Sequence, residues 1–198
     1  MYELYTNIRV WFHEQKIKFI EKDPNMSGIV LKARLYAYRA SALTRHKYDG
    51  KHYEYHTYMV YQYALKYIHL IPEKDRADVL AACFTHDLIE DCRETFNDVR
   101  KASNKKVALL TSALTTIVHG HTRRDRAPRS YYKRIKKEMY ADFIKICDRL
   151  ANVSNSASKG HTMITAYASE MGKFRLNLYK EEYDAMFEEL DGFVNINK

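Results

Sequence analysis

The segment Phe84-Thr85-His86-Asp87-Leu88-Ile89-Glu90-Asp91 sets four ionisable side chains at the end of the most apolar stretch of the chain, Val79 to Phe84. In helical register His86 and Glu90 share a face, as do Asp87 and Asp91, because residues four apart project together. Burying so many ionisable groups costs free energy unless something compensates, and a divalent cation compensates well. His56 opens a second apolar stripe, with Met59, Val60, Tyr63 and Tyr67, and Asp148 interrupts a third after Ile144-Lys145-Ile146-Cys147. Three helices thus each offer ligand-type residues beside the core: His56, then His86 with Asp87, then Asp148. Two imidazoles and two carboxylates form a mixed nitrogen and oxygen set that suits one ion of the Mn2+ or Fe2+ kind. The lack of thiolates argues against structural zinc. Taken singly, His56 reads as a core histidine and Asp148 as the salt-bridge partner of a neighbouring cation; their ordered occurrence favours the metal.

The elements that must carry these residues read as helices throughout. Apolar periodicity marks helices at about 2–21, 29–44, 54–70, 73–92, 105–118, 130–153, 162–180 and 182–190. Turns fall at residues 23–28 and at Tyr48-Asp49-Gly50. No segment alternates as a strand does, and no repeat or low-complexity linker interrupts the chain. The expectation is an all-α, single-domain bundle around one metal site, with residues 1–28 as a peripheral N-terminal helix and 45–152 as the motif-bearing core. The 198 residues, 46% hydrophobic and 29% charged, suffice for a sizeable core. No apolar run approaches the roughly 20 residues that cross a bilayer. The start, Met-Tyr-Glu-Leu-Tyr-Thr-Asn, lacks the pattern of a signal peptide. Cys83, Cys92 and Cys147 form no CxxC pair and read as reduced thiols, so a cytoplasmic location is expected. The net charge of +8 serves solubility or an anionic partner, and composition does not choose.

The order His56, His86-Asp87, Asp148 resembles the HD superfamily of phosphohydrolases. More narrowly, His-Asp-Leu-Ile-Glu-Asp (86–91) is similar to the His-Asp-x-x-Glu-Asp motif of the alarmone hydrolase domains of RelA/SpoT homologues. Lys145-Ile146-Cys147-Asp148-Arg149-Leu150-Ala151-Asn152 resembles their last motif, and Arg45 with Asp49-Gly50, Tyr53 and His56 resembles their first. The match spans residues 45–152, and the compact chain is most similar to stand-alone small alarmone hydrolases of the metazoan SpoT-homologue type. It departs at Thr57, where a proline often follows the first histidine, and at His46-Lys47-Tyr48, which differs from the usual basic run.

The resemblance implies an HD-type helical fold, one divalent ion, Mn2+ first among candidates, and hydrolysis of (p)ppGpp to GDP or GTP and pyrophosphate in a stringent-response setting. It implies phosphate contacts from the loop that holds Arg45 and Lys47. Glu90 and Asp91, outside the ligand set, can orient water and move its proton; alternatively they form an acidic helix end paired with nearby cations. Asn152, one turn beyond Asp148, can hydrogen-bond a ribose or phosphate, or simply end its helix. The basic stretch 123–134, with Arg126 and Tyr131 as its candidate contacts, reads as a wall that neutralises a polyphosphate. It reads equally as a solvated face; a nucleic-acid patch ranks below both. Arg175 and Tyr179, four apart, resemble a pair that contacts nucleotide in the family; their other reading is an exposed arginine and a core tyrosine. Competing functions are an HD nucleotidase acting on other nucleotides, including NADPH or adenosine alarmones, and a non-catalytic nucleotide-binding module. Self-association is open; the chain has 17 tyrosines, and core packing accounts for an unknown share of them.

Overall fold

A computed structural model describes residues 14–23, 26, 28–116 and 128–195. Residues 14–21 are helical (α1). The remaining helices are α2 (Gly28–Leu43), α3 (Glu54–Lys66), α4 (Glu73–Thr85), α5 (Leu88–Asp91), α6 (Phe96–Ala102), α7 (Lys105–Leu114), α8 (Arg129–Lys137), α9 (Ala141–Ser158), α10 (Met163–Leu178) and α11 (Asp184–Asn195). Short 3-10 turns cover Ile68–Leu70 and Glu181–Tyr183.

Two helices form the centre. Along α4, Val79, Ala81, Ala82, Cys83 and Phe84 are all fully buried, as its all-round apolar sequence requires. Along α9, Phe143, Ile144, Ile146, Cys147, Leu150, Ala151 and Val153 are likewise fully buried. Helix α3 packs on both; α2 and α7 cover α4, and α10 and α11 cover α9. Local signals set the starts. Pro72 precedes α4, whose first turn carries Glu73 and Asp75 against the positive end of the helix dipole. Thr95 and Asp98 form a reciprocal capping box on α6, and the Asn104 side chain accepts from the Val107 amide at 2.9 Å to start α7.

Arg34 is one of the charged residues buried in this packing. It is 2% exposed, and its Nη2 donates to Glu54 Oε1 at 2.7 Å while Nη1 donates to Asp23 Oδ2 at 2.8 Å. Its guanidinium lies 4.6 Å from the Tyr58 ring centre. This clamp joins α2 to the first turn of α3, two residues before His56.

The structure differs from the sequence expectation at several elements: α6 stands where no helix was expected, and the helix expected over 105–118 ends at Leu114. The helix expected over 73–92 ends at Thr85 and restarts at Leu88, with Asp87 at φ −107° and ψ 2° between the two pieces. The helix expected over 130–153 is two helices, divided at Tyr140, whose φ of 71° breaks the run and whose hydroxyl donates to Asp75 Oδ2 at 2.9 Å. The stretch 54–70 is α-helical only to Lys66. Finally, a small antiparallel hairpin, β1 (Lys47–Tyr48) and β2 (Lys51–His52), stands where only a loop was expected. Its two turn residues, Asp49 and Gly50, have φ of 51° and 76°, the double left-handed turn that joins tight hairpins. Among the described residues no helix is long and apolar enough to cross a membrane.

Candidate metal centre

The junctions of α3, α4 and α9 bring the expected ligands together. His56, on the first turn of α3, points Nε2 at Asp148 Oδ1 on α9, 3.1 Å away. His86, just past α4, places Nε2 at 3.8 Å from the same oxygen. His56, His86 and Asp148 are all buried, and one ligand atom from each lies within 4.8 Å of the others. Asp87 stands at the edge of this triad: its Oδ2 is 2.8 Å from His86 Nε2 and 4.0 Å from His56 Nε2, and it accepts a hydrogen bond from the Tyr53 hydroxyl.

The donor chemistry fits a divalent ion. The carbonyl of Cys83 lies 2.9 Å from His86 Nδ1, which fixes a proton on that nitrogen and leaves Nε2 facing the cluster. That Nε2 is buried and has no donor or acceptor partner beyond the carboxylates that surround it, Asp87 Oδ2 at 2.8 Å and Asp148 Oδ1 at 3.8 Å. Buried polar atoms are rarely left so in a finished site. His56 Nδ1 is buried and unpartnered as well.

Electrostatics reinforce the arrangement. Burial alone pulls the His86 imidazole down, but the adjacent Asp87 carboxylate outweighs it and holds the ring above its usual range. Burial would raise Asp148; the Lys145 ammonium, with both imidazoles, overrides this and holds the carboxyl well below its usual range. Lys145 Nζ is 2.8 Å from Asp148 Oδ2, and Asn152 Nδ2 donates to Asp148 Oδ1 at 2.6 Å. The carboxylate is therefore held from both sides, with Oδ1 turned to the histidines.

Above the cluster lies a cleft of about 370 Å3, within the range of nucleotide-sized sites. Glu90 and Asp91 line it on one side. Glu90 Oε2 accepts from the Thr116 amide at 2.8 Å, and Asp91 Oδ2 is 3.3 Å from His46 Nε2. Lys47, Asn152, Arg149 and Tyr167 also line the cleft.

A search of solved structures finds a match in a metazoan ortholog of SpoT, described as hydrolysing ppGpp and acting in starvation responses. The TM-score is 0.68 at 22% sequence identity, over 86% of this chain and 96% of that one. The chain has the all-helical HD-domain fold. No protein-family profile and no curated protein sequence matches it.

Within this fold the candidate residues divide clearly. His56, His86, Asp87 and Asp148 converge, and Glu90, Asp91, Lys47 and Asn152 join them at the cleft. Four others lie outside the described lining. Arg45 is exposed at a left-handed turn with φ 55°. Tyr131 is buried one layer behind, its hydroxyl donating to the Leu114 carbonyl at 2.9 Å and its ring 5.8 Å from Lys145 Nζ. Arg175 and Tyr179, expected at the nucleotide, face α11 instead: Arg175 pairs with Asp191 at 2.5 Å and lies over Phe187, while the Tyr179 hydroxyl donates to Asp184 at 3.2 Å. The reason is packing, for the last turn of α10 covers the ring of Phe187. Arg126 lies outside the described residues.

Sequence reading gave no role to Lys145, His46, Tyr48, Arg149 or Tyr167, all of which line the cleft. For Lys145 a signal existed. A lysine inside the apolar run Phe143–Cys147, three residues before an aspartate, needs a buried anion. The other four carry no comparable signal, since nothing in their spacing marks a cleft wall.

Proposed function

We propose that this chain is a metal-dependent phosphohydrolase that removes the 3′-pyrophosphate of (p)ppGpp-type alarmones, giving GDP or GTP and pyrophosphate. The observation that carries the reading is the buried His56–His86–Asp148 triad, of which His56 and Asp148 line a polar cleft together with Glu90 and Asp91. The fold it shares with a structure described as a ppGpp hydrolase supports the same substrate class.

His56, His86, Asp87 and Asp148 would hold one ion, Mn2+ being the proposed metal given their nitrogen and oxygen donors. A divalent ion supplies Lewis acidity, making water more acidic and drawing charge from phosphoryl oxygens. The chain's own residues do the rest. Glu90, fixed by the Thr116 amide, and Asp91, held beside His46, orient water and accept its proton as the new phosphorus–oxygen bond forms. The bond from phosphorus to the ribose 3′ oxygen breaks, and that oxygen leaves with a proton. Lys47 offers a cation to the phosphate chain, and Asn152 Oδ1, which accepts from Tyr48 with one lone pair, offers the other to a ribose hydroxyl.

One observation favours a smaller phosphate ester. Among the described lining residues, Lys145 and Arg149 are engaged by Asp148 and Glu170, each at 2.7–2.8 Å, leaving Lys47 as the cation without such a pairing. A nucleoside monophosphate needs less positive charge than an alarmone.

The test is purified protein with Mn2+ and ppGpp, analysed for GDP and pyrophosphate. Formation of both at a rate abolished by chelation is the expected result. Orthophosphate release from dGMP with ppGpp untouched would replace the alarmone reading with a nucleotidase. Tight nucleotide binding with no turnover of either would make the chain a sensor.

A further inference from the structure

The hairpin residue Tyr48 touches two parts of the metal centre at once. Its ring stacks on the His56 imidazole, with centroids 4.6 Å apart and planes 20° apart. Its hydroxyl donates to Asn152 Oδ1 at 3.0 Å. That bond holds the Asn152 amide from its oxygen end, in the orientation that the two Asp148 acceptors require. With Oδ1 occupied by Tyr48, Nδ2 donates to the Asp148 backbone carbonyl at 2.9 Å and to its carboxylate Oδ1 at 2.6 Å. A reversed amide would set two acceptors against each other with no proton between them. The next residue anchors the hairpin to the same helix: Asp49 pairs with Lys159, and its Oδ2 accepts from Asn155 Nδ2 at 3.5 Å. Tyr48 is therefore delivered by a tight turn whose far side is tied to α9.

We propose that Tyr48 is a positioning residue of the metal centre, holding His56 through its ring and Asp148 through Asn152. It acts on ligands from two separate helices, α3 and α9, and so ties their relative setting to the hairpin. The inference rests on the metal reading above. Groups that set the orientation of metal ligands typically change metal affinity by about 10- to 100-fold when removed.

Two substitutions divide the role. Tyr48→Phe keeps the stacked ring and removes the donor; Tyr48→Ala removes both. Mn2+ binding to the full purified chain, followed by calorimetry and by the electron paramagnetic resonance signal of free Mn2+, is expected to weaken about 10-fold in Tyr48→Phe and about 100-fold in Tyr48→Ala. Turnover of ppGpp is followed alongside and is expected to need more Mn2+ for half-maximal rate in both variants than in the unsubstituted chain. A raised KM at normal Mn2+ affinity would instead make Tyr48 a substrate contact and overturn the proposal. Unaltered Mn2+ affinity in both variants would overturn it as well. Melting of the metal-free proteins reports folding separately. Should Tyr48→Ala not fold, Tyr48→Phe still decides, since normal affinity there removes the Asn152 link. Absence of Mn2+ binding by the unsubstituted chain would overturn the metal reading and this inference together, a result distinct from binding that the variants leave intact.

Discussion

Replacing Arg34 by methionine probes the frame that aims His56. The Arg34 Nε and Nη2 atoms both donate to Glu54 Oε1, at 3.1 and 2.7 Å, and Nη1 donates to Asp23 Oδ2 at 2.8 Å. Methionine keeps the packing of the stem but leaves the Glu54 carboxylate, itself 8% exposed, with Lys16 at 3.1 Å as its remaining described ion-pair partner. Removing one partner of a buried ion pair costs about 3–5 kcal/mol, mostly because a charge is left uncompensated. The surviving Lys16 contact puts Arg34→Met at the lower end, about 3 kcal/mol. In a chain of this length each kcal/mol moves Tm by about 2–4 °C, so the melting midpoint should fall by about 6–12 °C. The double variant Arg34→Met/Glu54→Gln removes the stranded charge and should regain about half of that loss. Calorimetric melting and urea titration of the metal-free proteins measure both. A loss below about 1 kcal/mol in the single variant, or a double variant no more stable than the single, would refute the clamp.

Asp148→Asn takes away the carboxylate charge that faces both imidazoles and strands the buried Lys145 ammonium. The metal-free variant should lose about 3 kcal/mol in urea titration, and Mn2+ affinity by calorimetry should drop at least about 100-fold. Normal Mn2+ binding in that variant would exclude Asp148 from the site. Glu90→Gln should bind Mn2+ normally yet turn over ppGpp about 100- to 10,000-fold more slowly; full activity would refute its role in proton movement. Free Mn2+ at about 100 times its Kd should stabilise the chain by about 2.7 kcal/mol. That corresponds to a rise of about 5–10 °C in Tm, reversed by chelator, and an unmoved midpoint would count against an ion held by the folded state.

The ligand residues were legible in the sequence because each is an ionisable group in an otherwise apolar helical run, where burial demands a partner. The helix interiors were legible for the same reason: the run 79–84 is apolar all round, and in 143–153 the only polar stripe is Lys145, Asp148, Arg149 and Asn152, the face that lines the cleft. The interruption after Thr85 was not. No glycine or proline marks it, and the groups that accompany it act across space or back along the chain: Thr85 Oγ1 meets Thr111 Oγ1 at 2.6 Å, and His86 Nδ1 meets the Cys83 carbonyl. Asp49-Gly50 is a recognised hairpin signal, but strands of two residues are too short to show alternation around it. Arg175 and Tyr179 illustrate the limit of spacing. Their separation of four says that they share a face, and only the packing of α10 on α11 says which way that face looks.

The gap between α4 and α5 has a geometric consequence. On a regular helix neighbouring side chains diverge by about 100° around the axis, an angle an adjacent pair must reach across to meet at one point. By leaving helical geometry between His86 and Asp87, the chain lets two consecutive residues turn towards the same spot, with Nε2 and Oδ2 2.8 Å apart. The departure from helical backbone at Asp87, φ −107° and ψ 2°, thus serves the meeting of two neighbours that a straight helix would splay apart.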